Sequence, residues 1–245
     1  MVRILIIQFR TNTNTLVDEQ SSFLRIFDAL DVEVIFKNAF LDNISWEDPE
    51  EVLIDIQGVI LGGSGEFDFD GDRNLSDVKR TASHALVKTM SPFLRYLEKS
   101  DFPTLAICFG HQIIAQSLGV DVISDKSQAK VGSHNVSLTD AAHTDKLFEG
   151  LPDTFVVQYG HKDSLSLLPP EATLMAQGDK CLYSAIRLGP NRYSVQFHPE
   201  LTAEDVQNKF LSHPDYLPEG MTPEELIQES PHATQLLINF VNGIA

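Results

Sequence analysis

The sequence predicts an α/β fold. It reads as one domain over residues 1–245, with a mostly parallel central sheet flanked by helices and extended by added antiparallel strands. Three features predict it. Short, fully apolar segments recur along the first half of the chain, as in strands covered on both faces. Amphipathic stretches at helical spacing separate them, giving the β-α-β-α order of a parallel sheet with helices on both faces. After Gly119 the texture changes to short alternating segments, which is the pattern of antiparallel strands.

Val2 to Phe9 is β-branched and apolar, and forms the first predicted strand. Leu16, Phe23, Leu24, Phe27 and Leu30 recur at helical spacing, so a helix is expected over 16–30. Val32 to Phe36 and Gly58 to Leu61 are the next strands, the latter ending in Gly62-Gly63-Ser64-Gly65. Leu75 to Leu97 is mostly helical, with Pro92 marking a kink or break. Pro103 to Ile107 is a fourth strand, followed by a helix over about 110–118. Antiparallel strands are expected at 135–138, 155–157, 173–176 and 182–186. Tyr193 to Phe197 is a last strand, and the sheet as a whole is expected to have about seven. A helical C-terminal extension begins near 203, with helices over about 203–211 and 235–241. Between them, His213 to Pro231 reads as a surface excursion with a short helix opened by Thr222-Pro223-Glu224-Glu225, a capping-box pattern.

The 245 residues carry 35 acidic against 18 basic side chains, a net charge of −17. Such a surface repels phosphate backbones, which argues against a nucleic-acid partner. Two cysteines, Cys108 and Cys181, are too few for a secreted disulfide scaffold of this size. The N-terminal apolar run is too short for a signal peptide, and no run of about 18 apolar residues suggests a membrane span. The expectation is a cytoplasmic protein that does not enter a membrane.

The sharpest chemical signal is Thr104-Leu105-Ala106-Ile107-Cys108-Phe109-Gly110-His111-Gln112. A buried strand runs into a cysteine and a helix starts immediately after it, as in the nucleophile elbow of G-x-S-x-G hydrolases. Ala106 and Gly110 let strand and helix backbones come close. A helix N-terminus favours a thiolate, and the amide of Phe109 points at an oxyanion forming beside Cys108. The alternative is a buried structural cysteine. A cysteine nucleophile needs a base, and the base an orienting partner. Val195-Gln196-Phe197-His198-Pro199-Glu200 supplies both at a strand end, with His198 and Glu200 two apart and therefore on one side. Finally, Gly62-Gly63-Ser64-Gly65-Glu66 follows a strand directly, where glycines let the backbone approach a ligand. No phosphate-loop or dinucleotide fingerprint is present.

Other features are read as structural. Asp68-Phe69-Asp70-Gly71-Asp72 lacks the spacing of a calcium loop, with Lys79 at the position that needs Glu, and is expected to be a solvated acidic loop. His134 and His143 have no ligand-spaced partner and are expected on the surface or in loops, so no metal site is predicted. Cys181 lies in a predicted strand without an elbow and is expected in the core.

Taken together, Gly63-Ser64, Cys108-Phe109-Gly110-His111-Gln112 and His198-Pro199-Glu200 resemble the class I glutamine amidotransferase family. Gln158-Tyr159-Gly160-His161-Lys162-Asp163-Ser164, followed by Leu167-Leu168-Pro169, resembles a further segment of its stand-alone, GMP-synthase-like branch. The resemblance implies a flavodoxin-like fold and a Cys108–His198–Glu200 triad that hydrolyses glutamine through a γ-glutamyl thioester. It implies an oxyanion site at Gly63, Ser64 and Phe109, and glutamine contacts at Gln112, Gly160, His161 and Asp163. No cofactor is implied. The expected partner is a synthetase chain receiving ammonia, because this chain has no ATP-handling motif. Two other functions remain open: a self-sufficient hydrolase of γ-glutamyl peptides or conjugates, and a catalytically silent binding protein.

Overall fold

Five parallel strands form one half of a nine-stranded sheet in the computed structural model of the protein, which describes residues 1–212, 217 and 220–244. They are β1 (Val2–Gln8), β2 (Val32–Asn38), β3 (Gly58–Leu61), β4 (Thr104–Ile107) and β11 (Arg192–Val195), in the order β2-β1-β3-β4-β11. The antiparallel half continues from β11 through β10 (Ala185–Arg187), β9 (Thr173–Gly178), β6 (Lys130–Leu138) and β7 (Thr154–His161). A separate antiparallel pair joins β5 (Val122–Ser124) to β8 (Asp163–Leu165).

The continuous apolar character of β1 has a simple cause. Ile4 and Ile6 pack on one face of the sheet with Phe23 and Phe27 of α1 (Thr13–Phe27) and Leu236 and Phe240 of α7 (Gln235–Asn242). Leu5 and Ile7 pack on the other with Met90, Phe93 and Leu97 of α3 (Val78–Lys99) and Ile113 of α4 (Phe109–Ser117). A strand buried on both faces has no polar alternation to show. Asn12 caps α1 through its side-chain oxygen, and Asp77 does the same for α3.

The structure departs from the sequence-based expectations at several points. Pro92 does not break α3, which runs for 22 residues; its buried face of Met90, Phe93, Leu94 and Leu97 offsets the one backbone bond the proline removes. β6 and β7 are far longer than the segments their alternation suggested, and the sheet has nine strands rather than about seven. Residues 182–184 form a turn before β10, so Cys181 sits ahead of the strand, though buried as expected. His134 lies within β6 rather than in a loop.

Two short α-helices are α2 (Pro49–Val52) and α6 (Pro223–Leu226), and single 3-10 turns form at Ala142–Thr144 and Lys146–Phe148. In α6, the Thr222 amide donates to Glu225 Oε2 at 2.8 Å, as in the expected capping box. The helix that follows β11 is α5 (Ala203–Ser212). Part of the expected excursion over 213–231, namely 213–216, 218 and 219, lies outside the described residues. No helix among the described residues is long and apolar enough to cross a membrane.

Candidate active site

The parallel strands end together, and the loops at their C-terminal ends meet over the sheet, where open α/β sheets bind ligands. Cys108 stands at the junction of β4 and α4. Its backbone adopts φ 51°, ψ −101°, a left-handed conformation unusual for a residue with a side chain. Such strain costs about 1–3 kcal/mol and persists only where the surroundings enforce it. They do so here: the Cys108 amide donates to Val195 O at 2.8 Å, fixing the elbow to β11, and Gly110 N–H donates to Gly62 O at 3.0 Å. Gly110 allows this approach, since a Cβ there would fall 2.4 Å from Leu61 O. The Phe109 ring stacks on Phe69, with centroids 5.2 Å apart, and meets Phe9 edge-on at 5.6 Å.

The Cys108 side chain caps none of the first amides of α4, so the sulfur is not consumed by the helix it precedes. Phe109 is the first residue of that helix, and a first-turn amide has no partner within its helix. Gly63 lies against both candidate reactive groups. A Cβ at Gly63 would be 2.7 Å from His198 Cε1 and 3.5 Å from Cys108 Cβ. Only glycine lets the β3 loop pass here.

His198 leaves the end of β11 with its amide donating to Gln158 O at 2.8 Å, which ties it to β7. Its Nδ1 meets Glu200 Oε1 at 2.6 Å, leaving Nε2 as the ring nitrogen for Cys108. All three residues are buried. Burial alone would lower the His198 pKa, but the charge of Glu200 and contact with Cys108 outweigh it and raise the pKa to about 9. Burial in turn raises the Glu200 pKa, and the adjacent His198 pulls it below the ordinary carboxylate value. The pair is therefore an ionised couple in a dry setting, with Glu200 Oε2 left without a hydrogen bond.

The four expected substrate contacts separate. Gly160, in β7, faces a cavity of about 500 Å³ together with Ser64, His198 and Glu200. Gln112, His161 and Asp163 lie behind it as a buried scaffold. The Gln112 amide donates to Asp163 O at 2.9 Å, and His161 Nδ1 meets the same carbonyl at 3.0 Å. The Asp163 carboxylate accepts the amides of Phe69, Asp70 and Gly71 at 2.7–2.9 Å. The acidic stretch 68–72 is thus an ordered cup around Asp163 rather than a merely solvated loop. Its own charges are met by Arg73 on Asp68 (2.6 Å), Arg80 on Asp70 (2.9 Å) and Lys126 on Asp72 (3.4 Å).

Three residues that sequence reasoning missed also line the cavity: Arg10, Glu19 and Lys209. Arg10 follows the first strand at its C-terminal end, a position that parallel-sheet geometry marks as ligand-facing. Nothing in the local pattern of α5 distinguishes Lys209.

The sequence profile of the family described as glutamine amidotransferase class-I matches residues 29–213. One subunit of the glutamine-hydrolyzing GMP synthase of Methanothermobacter thermautotrophicus is 28% identical over 82% of this chain and 90% of its own length. The corresponding subunit of the Archaeoglobus fulgidus enzyme is 29% identical over 62% of this chain and 71% of its own. The match to the glutamine-hydrolyzing GMP synthase of Malacoplasma penetrans, 27% identical, takes in 87% of this chain but only 36% of that protein. Among solved structures, a glutamine amidotransferase from Thermotoga maritima superposes with a TM-score of 0.71 at 20% identity, over 99% of this chain and 97% of the other.

Proposed function

The chain belongs to the class-I glutamine amidotransferase family, and from that premise we propose that it hydrolyses the side-chain amide of glutamine at Cys108 and passes the ammonia to a synthetase on a separate chain. The observation that carries this reading is the strained elbow at Cys108, set against the buried His198–Glu200 couple across Gly63. Strain of this kind clusters where a side chain must be held up for chemistry.

In this reading the proton of the Cys108 thiol already rests on His198 Nε2, and the sulfur attacks the amide carbon. The oxygen becomes an oxyanion received by the amides of Phe109 and of the Gly63-Ser64 turn. His198 returns the proton to the nitrogen, the C–N bond breaks, and ammonia leaves. Water, activated by His198, then adds to the γ-glutamyl thioester and releases glutamate. Glu200 holds the ring orientation and stabilises the imidazolium. Gly160 borders the bound glutamyl group, while Gln112, His161 and Asp163 act by fixing the β7–β8 turn beneath it. No step calls for a cofactor. A separate synthetase is supported by the relatives named as single subunits of a glutamine-hydrolyzing GMP synthase, and by the absence of a nucleotide-binding motif in this sequence.

The purified chain is expected to convert glutamine into equimolar glutamate and ammonia, measured by paired enzymatic assays. Turnover that produces glutamate without ammonia, or no turnover with or without a synthetase, would contradict it.

A further inference from the structure

The two oxyanion amides assigned to the turn after β3 sit in an intrinsically loose stretch. Residues 62–66 read Gly-Gly-Ser-Gly-Glu, and glycine gives up more backbone freedom on being fixed than any other residue. Phe109, the other assigned donor, is fixed by the helix that it opens, whereas the turn has no helix of its own. Its start is tied at Gly62, whose amide donates to Ile7 O at 2.9 Å and whose carbonyl accepts from the Gly110 amide at 3.0 Å. Among the described residues, neither the Gly63 nor the Ser64 amide has an acceptor. Something else must hold these two amides in place.

A carboxylate at the far end of the turn does so. Glu66 Oε2 accepts the amide and the hydroxyl of Thr11 (2.9 and 2.5 Å), and Oε1 accepts the Asn12 amide and the Thr15 hydroxyl (both 3.2 Å). All four donors belong to the segment that leaves β1 and opens α1, and Asn12 is the N-cap of that helix. Burial raises the Glu66 pKa, but these bonds bring it below the ordinary carboxylate value, so the group is charged at neutral pH. Within the turn, the Glu66 amide donates to Ser64 Oγ at 3.1 Å, which links the anchored end to a residue that carries one of the oxyanion amides.

The same segment braces the near end. Glu19 of α1, its side chain 2% exposed, accepts from Gln8 Nε2 at 2.8 Å and faces Arg10 Nε at 3.2 Å. Its Oε1 stands 3.1 Å from where a Cβ on Gly62 would lie. The turn is therefore gripped at 62 and at 66, with Gly63 and Ser64 between. Position matters there, because Gly63 passes directly against His198 and Cys108. A misplacement of about 1 Å near reacting atoms can cost on the order of a hundredfold in rate.

We propose that Glu66 is a positioning residue for glutamine hydrolysis, anchoring the turn to Thr11, Asn12 and Thr15 so that the Gly63 and Ser64 amides stand where the oxyanion forms. The inference rests on the thioester chemistry proposed above. Glu66 borders the cavity, but its carboxylate is taken up by these donors. In this role it neither touches substrate nor moves a proton, so its effect falls on the transition state and not on binding.

Glu66→Gln is the direct test. A carboxamide has one acceptor oxygen, so two of the four donors would face an NH2 group instead. The variant should lower kcat for glutamine by about ten- to a hundredfold, approaching the loss of a whole oxyanion donor, with KM within about twofold of wild type. Alkylation of Cys108 by iodoacetamide depends on the thiolate and forms no oxyanion, so its rate should stay within about twofold. Thr11→Val removes one donor at an exposed position and should lower kcat in the same way but by less. It carries the test if the melting temperature shows that Glu66→Gln does not fold. Unchanged kcat in the folded variants would overturn the proposal. So would a raised KM at constant kcat, because Glu66 would then be touching substrate. Alkylation that slows in step with turnover would overturn it as well, because the effect would then lie in the thiolate. Absence of glutamine turnover by wild type would overturn the hydrolase reading itself, and this inference with it.

Discussion

Cys108→Ser is expected to lower glutamine turnover by at least about a thousandfold, because a hydroxyl is a far poorer nucleophile than a thiol beside the same base. The fold should hardly notice. Serine is close in size, meets the same backbone conformation at φ 51°, and leaves the ties from residue 108 to Val195 and from Gly110 to Gly62 in place. The melting temperature should stay within about 3 °C of wild type, the shift expected for well under 1 kcal/mol in a chain of this size. Steady-state ammonia release and a thermal melt on the same preparation decide the matter. Activity within tenfold of wild type would mean another nucleophile. A collapse in stability would mean that Cys108 is there for packing.

The second large effect is on stability at mildly acid pH. Burial holds His111 at a pKa of about 3, with the charge of His161 lowering it further. Burial likewise holds His161 at about 4, despite the carbonyl of Asp163 that favours its charged form. Both are depressed relative to an unfolded value near 6.5, so the unfolded chain binds their protons first. Their contribution is therefore complete above pH 6.5 and is lost as pH falls toward 4. Between pH 6.5 and 4.5 the two together should remove about 5 kcal/mol of unfolding free energy, from 1.36 kcal/mol per pKa unit for each. That is comparable with the whole stability of many domains. His198 does not offset the loss: raised to about 9, its contribution is already full below 6.5 and disappears only as pH climbs through 9. Asp163, raised by burial, works in the opposite sense but only in the carboxylate range. Urea midpoints at pH 7.5, 6 and 4.5 should fall steeply, with the fall beginning above the range in which ordinary carboxylates titrate. A flat profile down to pH 4.5 would contradict the burial of the two rings as neutral groups.

The parallel half of the fold was legible because its strands are buried on both faces and announce themselves as unbroken apolar runs, as Ile4 to Ile7 do. The strand-to-helix elbow at Cys108 was legible because a cysteine between Ile107 and Phe109, with Gly110 behind it, is a local arrangement of small residues and a turn. The antiparallel half was harder to delimit. β6 and β7 extend through Ser133, Gln158 and His161, polar residues whose partners come from distant segments: Ser133 Oγ meets Gln158 Oε1 at 2.8 Å, and Gln158 reaches Gln228 O and Ser230. Such bonds leave no periodic trace. The acidic stretch 68–72 was misjudged for the same reason, since the carboxylate that orders it belongs to Asp163, more than 90 residues away. Arg10 and Lys209 went unseen because their meaning comes only from the cavity that brings α5 over the end of β1.

The central claim, that Cys108 is the nucleophile of a γ-glutamyl site, is tested most directly by labelling the native protein with a glutamine-derived chloroketone and identifying the modified peptide by mass spectrometry. Cys108 adjoins His198, which opens onto the cavity. Cys181 is buried elsewhere, its thiol pushed up to about 11 by burial and so kept protonated. The account predicts one label per chain, on Cys108 alone, at a rate that glutamine suppresses and that drops sharply in His198→Ala. Equal modification of Cys108 and Cys181, or a rate unaffected by His198→Ala, would contradict it.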